Sequence, residues 1–237
     1  MILDRSPNLT ERSRTAKTLS EIEQRLQELT NAVLAGKAEE ARQSTYAALA
    51  RGSTTNEVLD ALLEAVNILV DLYDVGEYDR SKLTTAENAV NSCLQVVEDR
   101  LVKSERRFNL KATVGPVGMK GGGLLALALS AILRSIGFQA TCLGKTQTAL
   151  ELLRNSEELG VDLVIPLLAD DEIEAQLRTF VEEMDRGGFR SKFEVIPIAP
   201  DLADTVQMPI TTARNSSEAI SKATEWALKR HSARKGE

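Results

Sequence analysis

Residues 111–144 read KATVGPVGMKGGGLLALALSAILRSIGFQATCLG. The stretch begins with the alternation of a strand, passes through a glycine-rich loop, and continues into a wholly apolar helix from Leu124 to Ile136. Gly115, Gly118, Gly121, Gly122 and Gly123 put five glycines into nine residues. Glycine has no Cβ, so such a loop lets backbone approach another group closely. In a parallel α/β sheet, ligands bind in the crevice outside the carboxyl ends of the strands. The loop therefore reads as one wall of a binding site, with Met119 and Lys120 between its glycines.

Downstream, strand and helix patterns alternate. Phe138 to Leu143 is expected to be a strand and Thr146 to Glu158 a helix. Val161 to Leu168 is a continuous apolar run, the pattern of a strand buried on both faces. Asp171 to Asp185 follows as a helix ended by Gly187-Gly188. Phe193 to Ile198 and Val206 to Ile210 complete five strands. Asn215-Ser216-Ser217-Glu218 caps a last helix with Ala219, Ile220, Ala223, Trp226 and Ala227 inward. This alternation predicts a flavodoxin-like, Rossmann-like, doubly wound parallel sheet of five strands. The order reverses between its first and third strands, so the loops at Gly115 to Gly123 and Ala169 to Glu172 face one crevice.

Upstream, the period is helical. Leu19, Ile22, Leu26, Leu29 and Val33 recur at three- and four-residue steps until Gly36. An alanine-rich helix spans about 37–50. Thr54-Thr55-Asn56-Glu57 has the form of a capping box, opening a helix with Val58, Leu62, Val66, Leu69 and Tyr73 on one face. Past Gly76, a helix carries Leu83, Ala86, Val90, Cys93 or Leu94, Val97 and Leu101. Four short-looped amphipathic helices predict a four-helix bundle. The expected organisation is an arm at 1–15, a helical cap at 16–102, a linker at 103–109, the α/β domain at 110–232 and a tail at 233–237.

Composition narrows the function. Of 237 residues, 43% are hydrophobic and 27% charged, ordinary for a globular protein, and the net charge of −6 argues against nucleic acid as a partner. Two cysteines, Cys93 and Cys142, form neither a disulfide framework nor a metal spacing. A cytoplasmic location fits them. The start lacks the apolar core of a signal peptide, and no apolar run reaches the roughly 18 residues of a membrane span. The single histidine, His231, lies in the tail. Histidine-based general acid–base chemistry and zinc catalysis are thereby largely excluded, and no nucleophile triad or carboxylate pair is visible.

Several side chains have two readings each. The glycines and Lys120 suit a phosphate, a nucleotide or another anionic group, or else a tight strand-to-helix connection. Ala169 and Asp170 open the loop across the crevice. Asp170, Asp171 and Glu172 suit Mg²⁺ or a pairing with Lys120, or else cap a helix. Tyr73 and Tyr78 suit stacking on a flat ligand, or bundle packing.

Two halves in this order resemble the cobalamin-binding corrinoid proteins of methyltransferase systems. The resemblance is best in LYDVGEYDRSKLTTAENAV, Leu72 to Val90, which follows the family's pattern of hydrophobic and aromatic residues, glycine, leucine and Ala-Glu without gaps. Thr113-Val114, Gly137-Phe138, Leu143-Gly144 and Glu218 to Ile220 match in layout, and the likeness covers roughly residues 20 to 230. It implies a helical cap over a flavodoxin-like domain, with the ligand held between them. The family's functional residues are replaced. Its Asp-x-His-x-x-Gly, whose histidine ligates cobalt from below, faces Val117 to Gly123 with no histidine. Its Ser-x-Leu faces Pro166 to Leu168 and Ala169, its Gly-Gly faces Pro197-Ile198, and the apolar turn of its cap faces Asp79-Arg80-Ser81. The resemblance thus implies a binding or regulatory protein, not an enzyme. It would hold cobalamin, another corrinoid, a tetrapyrrole or a different small molecule at Gly115, Gly118 to Gly123, Ala169, Asp170, Tyr73 and Tyr78. The alternative it implies is a methyl carrier without a histidine ligand. A methyltransferase or regulatory protein is then the expected partner, and a homodimer is compatible.

Overall fold

The computed structural model describes residues 9–101, 108–119, 121–169, 173–200 and 210–235. Four helices come first: α1 (Leu9–Leu34), α2 (Ala38–Ala50), α3 (Thr55–Asp74) and α4 (Arg80–Leu101). The α/β half follows as β1 (Lys111–Val117), α5 (Gly122–Ser135), β2 (Gln139–Cys142), α6 (Ala149–Glu158), β3 (Leu163–Leu168), α7 (Ile173–Arg186), β4 (Glu194–Val195) and α8 (Ser216–Lys235). α1 starts at Leu9, inside the stretch expected to be an arm. Residues 11–18 hold no glycine or proline and are mostly good helix formers, which propagates the helix toward the N-terminus.

The capping box at α3 forms as the sequence predicts. The Glu57 N–H donates to Thr54 Oγ1 at 3.2 Å, and the Thr54 N–H donates to Glu57 Oε2 at 2.7 Å. Thr148 and Glu151 repeat the device at the start of α6.

All described strand pairs are parallel, in the order β2-β1-β3-β4. The reversal therefore falls between β1 and β3, as expected for the first four strands of a flavodoxin-like order. The expected fifth strand, Val206 to Ile210, falls outside the described residues except for Ile210. A parallel bridge from Ile198 to Ala213 lies beyond β4.

One correction concerns β1. The glycine-rich loop was expected to open at Gly115. Instead β1 runs on to Val117, with Gly115, Pro116 and Val117 in register with Pro166, Leu167 and Leu168 of β3. The Pro116 carbonyl accepts from the Gln147 N–H on the β2 side, where β2 has already ended at Cys142. Its missing N–H thus leaves no gap in the ladder. The glycine loop proper is only 118–121.

The two faces of the sheet feed two cores. Leu163, Ile165 and Leu167 of β3 join Ala112 and Val114 of β1 under α5 and α8. Val164 and Leu168 join Leu152, Leu153, Leu177 and Phe180 under α6 and α7. The first core continues without interruption into the helical half through Leu62, Val66, Leu69 and Val90. α5 packs on α3 and α4 as well as on the sheet. That sandwich explains its composition, since a helix apolar all round is a helix buried all round.

Candidate functional site

The site is built on the carboxyl ends of β1 and β3. β1 delivers Gly118, with φ +69°. A side chain there would meet Gln176 Nε2 of α7 at 2.9 Å. Gln176 Oε1 in turn accepts from the Ala169 N–H at 3.0 Å, so the amide that stands against Gly118 also holds the loop after β3. The Met119 carbonyl accepts from Thr146 Oγ1 at 2.8 Å. Lys120, Asp170, Asp171 and Glu172 lie outside the described residues. Gly121 sits before α5 in the left-handed region, at φ +75°, which glycine adopts without strain.

Each of the five glycines has protein where a side chain would begin. Gly121 lies under the cap: a Cβ there would be 3.4 Å from Tyr73 Cδ1 and 3.6 Å from Leu83 Cδ2. Gly122 would meet Pro116 Cβ at 2.8 Å and Met119 Sδ at 3.0 Å, and Gly115 would meet Leu152 Cδ1 at 2.9 Å. At Gly123 the Gly144 carbonyl oxygen stands inside the 3.0 Å that a real Cβ does not breach. In this arrangement the five glycines make room for side chains and backbone of the fold itself.

The tyrosines part company. Tyr73 rests its ring on Gly121. Tyr78 turns into the cap, where its hydroxyl donates to the Leu34 carbonyl at 2.8 Å and Lys82 Nζ lies 5.0 Å from its ring centroid. Its role is to pin the α3–α4 turn to α1.

Beside the loop lies a crevice of about 190 Å³ between cap and sheet. Asn67, Val70, Asp71 and Asp74 of α3 form its roof. Met119, Leu125, Leu167 and Ile198 supply an apolar floor, and Arg214, Asn215 and Ser216 close one end. Sequence reading found Met119 and missed the rest. Asn67, Asp71 and Asp74 flank the apolar stripe of α3, and only the docking of the cap turns that edge toward the strand ends. Among the described residues, no group of three or more His, Cys, Asp and Glu is placed to hold a metal ion. Among them also, no helix is long and apolar enough to cross a membrane.

No family model and no curated protein matches the chain. Solved structures do. The monomethylamine corrinoid protein of Methanosarcina barkeri is similar at a TM-score of 0.63 and 17% identity, over 83% of this chain and 95% of that one. A cobalamin-binding protein from Desulfitobacterium hafniense DCB-2 aligns at a TM-score of 0.45 and 17% identity, over 85% and 98% of the two chains. The methanol:cobalamin methyltransferase complex of Methanosarcina barkeri aligns at 0.42 and 14%, over 86% and 80%. The first likeness shows a shared fold: this chain has the architecture of a corrinoid protein.

A histidine-ligated corrinoid does not fit the site. His231 lies fifteen residues along α8 from Ser216, about 22 Å at the helical rise. Its neighbour Arg230 pairs with Asp162, just ahead of β3, at the amino ends of the strands and so at the opposite end of the sheet from the crevice. The crevice itself is smaller than the roughly 300 Å³ at which pockets for drug-sized ligands begin, and a corrin macrocycle exceeds those ligands.

Proposed function

We propose that this chain is a non-catalytic small-molecule-binding or regulatory protein that holds its ligand between the α3 edge of the cap and the carboxyl ends of the strands. One observation carries the reading. A crevice that borders the glycine loop lies at the switch point of the sheet and joins an apolar floor to a few converging polar groups, the composition of a ligand site. A corrinoid or other tetrapyrrole would enter only with the cap lifted, and no histidine of residues 1–230 would be there to hold its cobalt. The fold shared with a corrinoid protein supports a methyl-carrier role as the second reading, with a methyltransferase as its partner.

The test is to purify the full chain, record its absorption spectrum, denature it, and identify any released molecule by mass spectrometry. The same is done for Met119→Trp, which fills the crevice from a half-buried position. A colourless protein that releases a small molecule, lost in the variant, is the expected result. A red-brown protein would replace this reading with the carrier. A released molecule that Met119→Trp retains in full would remove the crevice from the argument.

A further inference from the structure

At the β2 edge of the sheet, two buried hydrogen-bonding groups converge on a thiol. Ser130 and Arg134 stand four residues apart on α5 and so share one face of that helix. Arg134 reaches over the end of β2. Its Nη1 donates to the Ala140 carbonyl at 3.1 Å, and its Nη2 donates to Glu98 Oε1 of α4 at 2.5 Å. Its Nε is buried and has no partner among the described residues. Ser130 is fully buried, and its hydroxyl has none either. Buried polar groups ordinarily are hydrogen-bonded. Cys142, two residues beyond Ala140 and on the same side of β2, is the group set before them. It is a free, half-buried cysteine. Burial pushes its thiol up, against the opposite pull of Arg134 and of the Ser130 hydroxyl beside it, and Glu87 of α4 adds to the rise. The sulfur is open on its outer side: a Cβ added at Gly144 would meet nothing within 4 Å except Cys142 Sγ, at 3.6 Å. None of these residues lines the crevice.

A thiol sulfur is a weak acceptor and leaves both donors unanswered. A sulfinate brings two charged oxygens to the same place. We propose that Cys142 is a site of oxidation by hydroperoxides, and that its sulfinate is held by the Ser130 hydroxyl and the Arg134 Nε–H. The thiol gives its proton to solvent, and the thiolate attacks one peroxide oxygen. An S–O bond forms and the O–O bond breaks. Sulfur loses two electrons, the peroxide gains them, and the departing hydroxide takes a proton and leaves as water. A second peroxide carries the sulfenate to the sulfinate in the same way. Cys93, the other cysteine of the chain, is fully buried, so no exposed thiol of the chain is left to trap the sulfenate as a disulfide. The neutral thiol prevails at pH 7, so the first step is slow. The two donors act on the product, by pairing with oxygens that the reduced side chain lacks.

The test treats the full chain with millimolar hydrogen peroxide at pH 8 and follows oxygen uptake by peptide mapping. The expected result is two oxygens on the Cys142 peptide and none on Cys93. Thermal unfolding then compares the oxidised and reduced forms of each variant. Cys142→Ser reports the shift due to the methionines, which is subtracted. The parent should melt no lower when oxidised than when reduced. Ser130→Ala should be at least as stable as the parent when reduced, because it removes an unanswered hydroxyl. On oxidation it should lose about 3–12 °C, the range for a hydrogen bond to a charged group in a chain of this size. Arg134→Lys keeps the charge but lacks the Nε–H, and should show a loss of the same order against its own reduced form. Each comparison stays within one variant, so a general effect of the substitution on folding drops out. A Cys142 that stays unoxidised in the folded chain overturns the proposal. So does a parent that melts lower once oxidised, and so do variants that lose no more on oxidation than the parent does.

Discussion

Replacing Gly123 with alanine isolates the structural role of the glycine run. Gly123 is the second residue of α5 and lies outside the left-handed region, so its backbone accepts any residue. On propensity alone, alanine should stabilise the helix by up to about 1 kcal/mol. The fold opposes this. The added Cβ would stand inside 3.0 Å of the Gly144 carbonyl oxygen, and a backbone atom cannot swing aside as a side-chain tip does. The loop after β2 must retreat by several tenths of an ångström, and overpacking of this kind costs typically 1–3 kcal/mol or more. The net expectation is a loss of about 1–2 kcal/mol, or roughly 2–8 °C in Tm for a chain of this size. Gly144→Ala is the control. Its Cβ would meet only Cys142 Sγ, at an ordinary 3.6 Å, so it should stay within about 0.5 kcal/mol of the parent. Thermal and urea unfolding of both variants supply the measurement. A Gly123→Ala protein as stable as the parent would show that the Gly144 contact does not demand glycine there.

Three further outcomes are expected. Thr113 Oγ1 and Ser156 Oγ share a hydrogen bond of 2.8 Å, both residues fully buried. Ser156→Ala should cost about 1–3 kcal/mol, because it strands the Thr113 hydroxyl, and adding Thr113→Val should cost little more; strictly additive losses in urea unfolding would count against it. The Glu218 carboxyl is lowered to about 2 from its ordinary 4.5, chiefly by its hydrogen bond with Lys222 and also by the Arg214 N–H. A depressed carboxylate stabilises the fold fully above pH 4.5 and loses that contribution as pH falls toward 2. Glu218→Gln should flatten the stability profile in that window and nowhere else, and an unchanged acid limb would contradict it. The Cys93 thiol is pushed up to about 11 by burial, which the Thr45 hydroxyl only partly offsets. Iodoacetamide at pH 8 should therefore label Cys93 only on unfolding, as peptide mapping would show.

Local chemistry made much of this fold legible. The stripe of α3, the Thr54–Glu57 box and the apolar run of β3 each report a constraint that neighbours in sequence settle among themselves. β1 shows the limit. Gly115 and Pro116 are breakers by composition, but a central strand paired on both sides outweighs them, and the early end of β2 is invisible in the β1 sequence. The glycine run was read as one wall of a binding site. Its sequence does not show that Pro116, Leu152, Tyr73 and the Gly144 carbonyl stand where side chains would begin at Gly122, Gly115, Gly121 and Gly123.

The closure of the cap bears on ligand size. Tyr73 and Leu83 sit directly on Gly121, and α5 is buried against cap and sheet together. A ligand as broad as a corrin must separate these surfaces. Exposing even two large apolar side chains costs roughly 3–6 kcal/mol, which the ligand would have to return through its own contacts in the opened gap. A histidine bond to cobalt is one strong contact of that kind, and this chain offers none near the crevice. A molecule that fits 190 Å³ needs no opening. It would rest on the apolar floor while the cap stays seated. The absent histidine, the filled glycine cradles and the seated cap therefore favour a compact ligand over a corrin by the same balance of energies, although the fold is the one corrinoid proteins use.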